Sequence, residues 1–192
     1  MAKQIATGIP DERRRSVWKR HPLAIAPAVI ALMVSGCDSE QKRDYAVPQD
    51  LCGTRVSADD LAPFLPGGNS LKVSGSSRSA TDDCRVIVDD KVIMTATQVW
   101  VEEGETTASL AFSLALHAPK NSADDGRYWY SGNEAFGKTR GCIDKKYGHE
   151  LYTALQAQGS EHRDADAMKR LIVSYTEQVE KSAKCSAGAG EE

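Results

Sequence analysis

The sequence predicts an α+β domain, an antiparallel sheet of about five strands with a C-terminal helix packed on it and two disulfides. Three observations lead there. Runs rich in Val, Ile and Thr flank Asp89-Asp90-Lys91, an apolar stripe of helical period ends the chain, and four of the five cysteines, from Cys52 onward, lie within that domain.

Residues 1–36 read as a signal peptide. Lys3, Arg13, Arg14, Arg15, Lys19 and Arg20 outweigh Asp11 and Glu12 ahead of an apolar run at 23–34. Those 12 residues suit a signal-peptide core and fall short of the roughly 20 that a membrane-spanning helix needs. The run ends in Val34-Ser35-Gly36-Cys37, which resembles the lipobox of bacterial lipoproteins. Cys37 is therefore the expected first residue of the mature form. Its thiol would carry diacylglyceryl, with palmitate-type chains contributing ~0.8 kcal/mol per buried CH2, and it would hold the protein on the outer face of the cell membrane. Arg14-Arg15-Ser16-Val17-Trp18-Lys19 resembles a twin-arginine signal, so both that route and the general secretory route stay open.

The mature chain has 156 residues, enough for one domain with its own core. Of 24 Lys and Arg the leader holds 6, and of 27 Asp and Glu it holds 2, leaving 18 against 25 and a net charge near −7. No basic stripe exists to neutralise phosphates, so nucleic acid is not an expected partner. Cys52, Cys84, Cys142 and Cys185 are even in number and expected outside the cytoplasm, which favours disulfides. Metal ligation usually needs closer pairs than these, so no metal and no cofactor is expected. Three connectivities exist. Cys52 with Cys84 and Cys142 with Cys185 would give each half of the domain its own clasp.

Residues 37–49 are polar and read as a lipidated tether, with the domain spanning 50–185. Ser57-Ala58-Asp59-Asp60 is a capping box for a short helix that stops at Pro66-Gly67-Gly68. Residues 84–88 and 92–101 form an expected hairpin, while the serines of Val73-Ser74-Gly75-Ser76-Ser77 read as a loop. Leu110, Phe112, Leu114 and Leu116 alternate with Ser and Ala, predicting a strand whose apolar face covers the core. Tyr128-Trp129-Tyr130 and the segment around Leu151, Thr153 and Leu155 are further strands, a helix remaining the alternative for the latter.

The last helix is clearest. Met168, Leu171, Ile172, Tyr175 and Val179 share one face, Asp164 and Asp166 open it, and Lys181 and Lys184 close it. Asp166 with Arg170, Glu177 with Lys181 and Glu180 with Lys184 are expected i,i+4 pairs. Cys185 pins its end, and 186–192 should be disordered.

The lipobox, Leu51-Cys52-Gly53, the stretch Asp60-Leu61-Ala62-Pro63-Phe64-Leu65-Pro66-Gly67-Gly68, Cys84-Arg85-Val86 and the helix ending in Cys185 are together similar to small actinobacterial lipoproteins of unknown function, particularly streptomycete ones. The resemblance implies a Gram-positive cell surface. It brings no family active site.

Local motifs for catalysis are incomplete. His149-Glu150 lacks the second histidine of a zincin helix, and His162-Arg163-Asp164 lacks the Asn and Gly-rich loop of a kinase. No Gly-x-Ser-x-Gly elbow marks a serine, and Gly132 stands where a calcium loop opened by Asn121, with Asp124, Asp125 and Gly126 inside it, would need its closing Glu. Trp100, Tyr128, Trp129 and Tyr130 concentrate aromatic surface on two strands, with Trp129 facing opposite to the tyrosines. Such rings serve either as core or as a contact for a sugar or partner. The expected role is a non-catalytic binding module for a cell-wall glycan, a small solute or an exported protein. An envelope enzyme without a local motif is the alternative.

Overall fold

A computed structural model describes residues 42–189. The signal peptide and the lipidation site at Cys37 lie outside the described residues.

Among the described residues nine strands form two antiparallel sheets. A two-residue hairpin turn joins β1 (Asp50–Leu51) to β2 (Thr54–Arg55). The main sheet contains β3 (Leu71–Arg78), β4 (Thr81–Val88), β5 (Lys91–Glu102), β6 (Asn121–Ala123), β7 (Tyr128–Tyr130), β8 (Glu134–Asp144) and β9 (His149–Gln156). Its order is β3-β4-β5-β9-β8-β7-β6. Seven strands thus replace the expected five or so. Asp89 and Asp90, with φ of 45° and 64°, make the β4–β5 turn. Aspartate tolerates that left-handed backbone, which matches the twist of the flanking strands.

Helices cover the two faces unequally. One face carries α1 (Ala58–Leu61), α3 (Ala165–Glu180) and α4 (Ala183–Ala189). Ser57 caps α1 as the capping-box pattern predicts, accepting the Asp60 amide at 3.3 Å. Asp164 caps α3 through the Ala167 amide at 2.9 Å, and Met168, Leu171, Ile172, Tyr175 and Val179 are buried. Each contributes roughly 1.5–3 kcal/mol by leaving water. Gly137 lies where α3 passes close over the sheet: a Cβ there would stand 2.7 Å from the Thr176 Oγ1.

The second face carries α2 (Thr107–Leu114), which overturns the strand expected at 109–116. Thr106 caps it through the Ser109 amide at 3.1 Å. Thr107, Leu110 and Ala111, spaced i, i+3 and i+4, turn inward, with Ala111 packed on Phe136 and Ala154, leaving Phe112, Leu114 and Leu116 exposed. The alternating residues lack the β-branched side chains that favour a strand, and their apolar face does not cover the core.

Other expectations are corrected. Residues 73–77 belong to β3. Two of the three expected i,i+4 pairs, Asp166 with Arg170 and Glu180 with Lys184, give way to tertiary partners: Arg170 meets Asp60, Glu180 meets Arg127, and Lys184 meets Asp82. The helix itself ends at Glu180, and the separate α4 carries Cys185 and runs through 186–189, where disorder was expected. Part of the expected tether also lies on the domain. Arg43 donates to the Ala62 and Leu65 carbonyls at 3.0 and 2.7 Å, Tyr45 donates to the Pro66 carbonyl, and Val47 packs against the core.

Candidate functional site

The four aromatic candidates do not converge. Tyr128 is buried in the main core. Trp100 and Tyr130 are half-buried against that core on the α3 side, and no ladder pairs their strands directly. Trp129 does face the other way, pairing with Phe136 under α2, with its ring 6.0 Å from that of Phe112. None of the four is an exposed ring.

A site that sequence reasoning missed lies beside the first disulfide. Cys52–Cys84 and Cys142–Cys185 both form as expected, with Cα atoms 5.8 and 4.6 Å apart. The first holds the β1–β2 turn down on the sheet. Cys52 and Gly53 take φ of 52° and 93° there, and Asp50 Oδ1 accepts the Gly53 amide at 2.7 Å. Gly75 makes room, since a Cβ on it would come 3.3 Å from the Cys52 Sγ.

Between this turn, β3–β4 and the start of α4 opens a cleft of ≈ 580 Å³. Its lining combines side chains that are far apart in sequence. Gln98 Nε2 donates to Thr54 Oγ1 at 3.1 Å and to the Tyr175 hydroxyl at 3.3 Å, fixing the carboxamide. Burial pushes the Tyr175 phenol up despite those hydrogen bonds, so it stays protonated. Lys184 reaches from α4 to Asp82 Oδ2 at 2.5 Å, and the Ser77 hydroxyl donates to Asp82 Oδ1. Burial works to raise the Asp82 carboxyl, but the hydrogen bonds from Lys184 and Ser77 and the ammonium charge hold it below its ordinary range. Asp83 has its own counter-ion in Arg78 at 3.1 Å. The walls therefore offer a carboxamide, hydroxyls and neutralised charges.

Three of the remaining motif residues have partners within the fold. Glu150 pairs with Lys138 at 2.6 Å, Asp164 is the α3 cap, and Asp124 binds Arg140 at 2.8 Å and Arg127 at 3.4 Å. Among the described residues no three His, Cys, Asp or Glu side chains gather as a metal site, and no helix is long and apolar enough to cross a membrane. No protein-family model, curated protein or solved structure matches the chain. The only local sequence signals for the cleft were Cys52 and Cys84; Gln98, Tyr175 and Lys184 enter through strand register and helix docking.

Proposed function

We propose that the protein is a lipid-anchored, extracytoplasmic, non-catalytic binding module that takes a small polar solute in the cleft beside Cys52–Cys84. The observation that carries this is the convergence of Thr54, Gln98, Tyr175, Asp82 and Lys184 from separate elements on one open cavity. Concave sites with a few fixed polar groups are where small ligands bind. Because each charged wall has its counter-ion in place, the ligand is a hydrogen-bonding molecule without net charge, such as a sugar unit or a zwitterionic amino acid. The lipobox motif and the two disulfides support the extracytoplasmic setting.

Calorimetric titration with N-acetylglucosamine, short wall muropeptides and free amino acids tests the reading. Saturable binding that Gln98→Ala and Lys184→Ala each weaken at least tenfold, with the disulfides intact, supports it. No binding by any probe, or turnover of a muropeptide, rejects it in favour of another partner or of an enzyme.

A further inference from the structure

Five large apolar side chains are exposed among the described residues: Val92, Phe112, Leu114, Leu116 and Tyr147. Three of them share one end of the main sheet. Val92 stands next to the β4–β5 turn at the start of β5, 43% exposed. Leu114 and Leu116, 43% and 62% exposed, are held at the same end because the Leu114 carbonyl accepts from Gln156 Nε2 at 3.1 Å and the Leu116 amide donates to Glu134 at 3.1 Å. Gln156 and Glu134 face each other there and pair toward Thr95, near the beginning of β5. Phe112 instead leans on Trp129, and Tyr147 lies at the opposite end, in the β8–β9 turn.

The chain enters the domain at the same end as the three. The Asp44 amide donates to the Gly68 carbonyl at 2.8 Å, and the following Asn69 and Ser70 amides bind Asp89 in the β4–β5 turn. Lys42 follows Cys37 by five positions, a chain that reaches at most about 18 Å. β5 alone has 12 residues and is about 40 Å long at ~3.3 Å per residue. An acyl group on Cys37 therefore tethers the chain entry at Lys42, at this end of the sheet, to within about 18 Å of the lipid.

We infer that the sheet end bearing Val92, Leu114 and Leu116 rests on the bilayer, with these side chains in the lipid interface. The inference relies on the anchoring of Cys37 in the reading above. Scattered exposed leucines are ordinary on a soluble surface, but here they are gathered where a short tether delivers lipid. Lys91 and Lys120 begin β5 and precede β6 at this end, placing ammonium groups where phosphate headgroups would lie. Such a contact is a second, weaker membrane signal beside the acyl chains. It orients the domain, and the far end of the sheet points away from the membrane.

Two substitutions in the full mature chain test this: Leu116→Trp and, as the far-end control, Tyr147→Trp. Both replace exposed side chains, and thermal unfolding checks that both proteins fold. Each is reconstituted in vesicles of phosphatidylcholine and phosphatidylglycerol, with and without brominated acyl chains. Emission of the Leu116→Trp protein should shift to the blue and lose at least about twice the fraction lost by the Tyr147→Trp protein, because an indole in the interface meets the quencher. Equal quenching of the two, or more in Tyr147→Trp, overturns the orientation. Mass spectrometry of the same samples reads the acyl group: its absence from Cys37 overturns the anchor and the inference with it, whereas acylation with equal quenching overturns the inference alone.

Discussion

The buried carboxylate of Glu134 accepts the backbone amide of Leu116 at 3.1 Å, and its second oxygen accepts that of His117 at 3.3 Å. Gln156 Nε2 completes the arrangement at 3.2 Å. A carboxylate without exposed surface is costly unless such donors surround it. Here they fasten the end of α2 to the sheet. Glu134→Ala should lower stability by about 2–3 kcal/mol, the scale of hydrogen bonds to a charged group. Glu134→Gln, which keeps the packing and one acceptor, should cost less. Urea unfolding of the Cys37→Ser chain measures both; equal midpoints for wild type and Glu134→Ala would contradict the anchoring role.

Tyr128 presents the opposite case. Its hydroxyl is buried with no hydrogen-bond partner among the described residues, and its phenol is pushed up to about 12, chiefly by burial. The Arg127 guanidinium lies 4.8 Å above the ring and opposes that rise. Removing an unsatisfied donor relieves its desolvation cost, so Tyr128→Phe should leave stability unchanged or raise it by up to about 1–3 kcal/mol. A clear fall in the unfolding midpoint would show that the hydroxyl has a partner after all.

Local signals reported the elements whose burial pattern and caps agree. The α3 stripe, the Ser57 cap and the Asp89-Asp90 turn were all legible because each depends on neighbours within a few residues. At 109–116 two patterns compete: Leu110, Phe112, Leu114 and Leu116 alternate, yet Thr106 supplies a helix cap, and the outward Phe112 shows that apolarity alone did not set the face. β8 escaped notice because Gly137, Lys138, Arg140 and Gly141 break the apolar run of a strand. Gly137 is small to admit Thr176 of α3, a reason found only in the packed structure. The cleft was illegible for a related cause. Gln98 and Tyr175 lie 77 positions apart, and nothing in either segment announces the other.

Acid should weaken the fold through two carboxyls. Asp89 is held below its ordinary range chiefly by the Asn69 amide, with Ser70 adding to the effect against a smaller opposing contribution from burial. Asp82 is held low by Lys184 and Ser77. With native values below the unfolded ones, the unfolded state binds more protons as pH drops. The stability they contribute is present above the ordinary carboxylate value near ~4 and is lost as pH falls through their native values. Asp82→Asn and Asp89→Asn should each flatten the fall in unfolding midpoint below about pH 4. Asp90→Asn, in the same turn as Asp89, serves as the comparison. An unchanged pH profile in both Asp82→Asn and Asp89→Asn would remove these carboxyls as the source.

The two disulfides should differ in how readily they open. Both sulfurs of the second belong to buried residues, Cys142 and Cys185, where α4 covers β8. In the first, Cys84 is buried, but Cys52 sits exposed in the β1–β2 turn, at the wall of the cleft. A thiolate must reach a sulfur to exchange with it, so access favours attack at Cys52. Under graded dithiothreitol at neutral pH, Cys52–Cys84 should be reduced first, and alkylation with peptide mapping reads the order. Its loop spans 32 positions and that of Cys142–Cys185 spans 43, so chain entropy gives each a contribution of about 3.5–4 kcal/mol. Cys52→Ala with Cys84→Ala should therefore cost nearly as much stability as Cys142→Ala with Cys185→Ala. The first pair should also free the β1–β2 turn and weaken solute binding in the cleft. The second should release α4, and with it Lys184, while α3 keeps its own buried face. Simultaneous reduction of both bonds would show that the domain opens as a whole before either sulfur is reached.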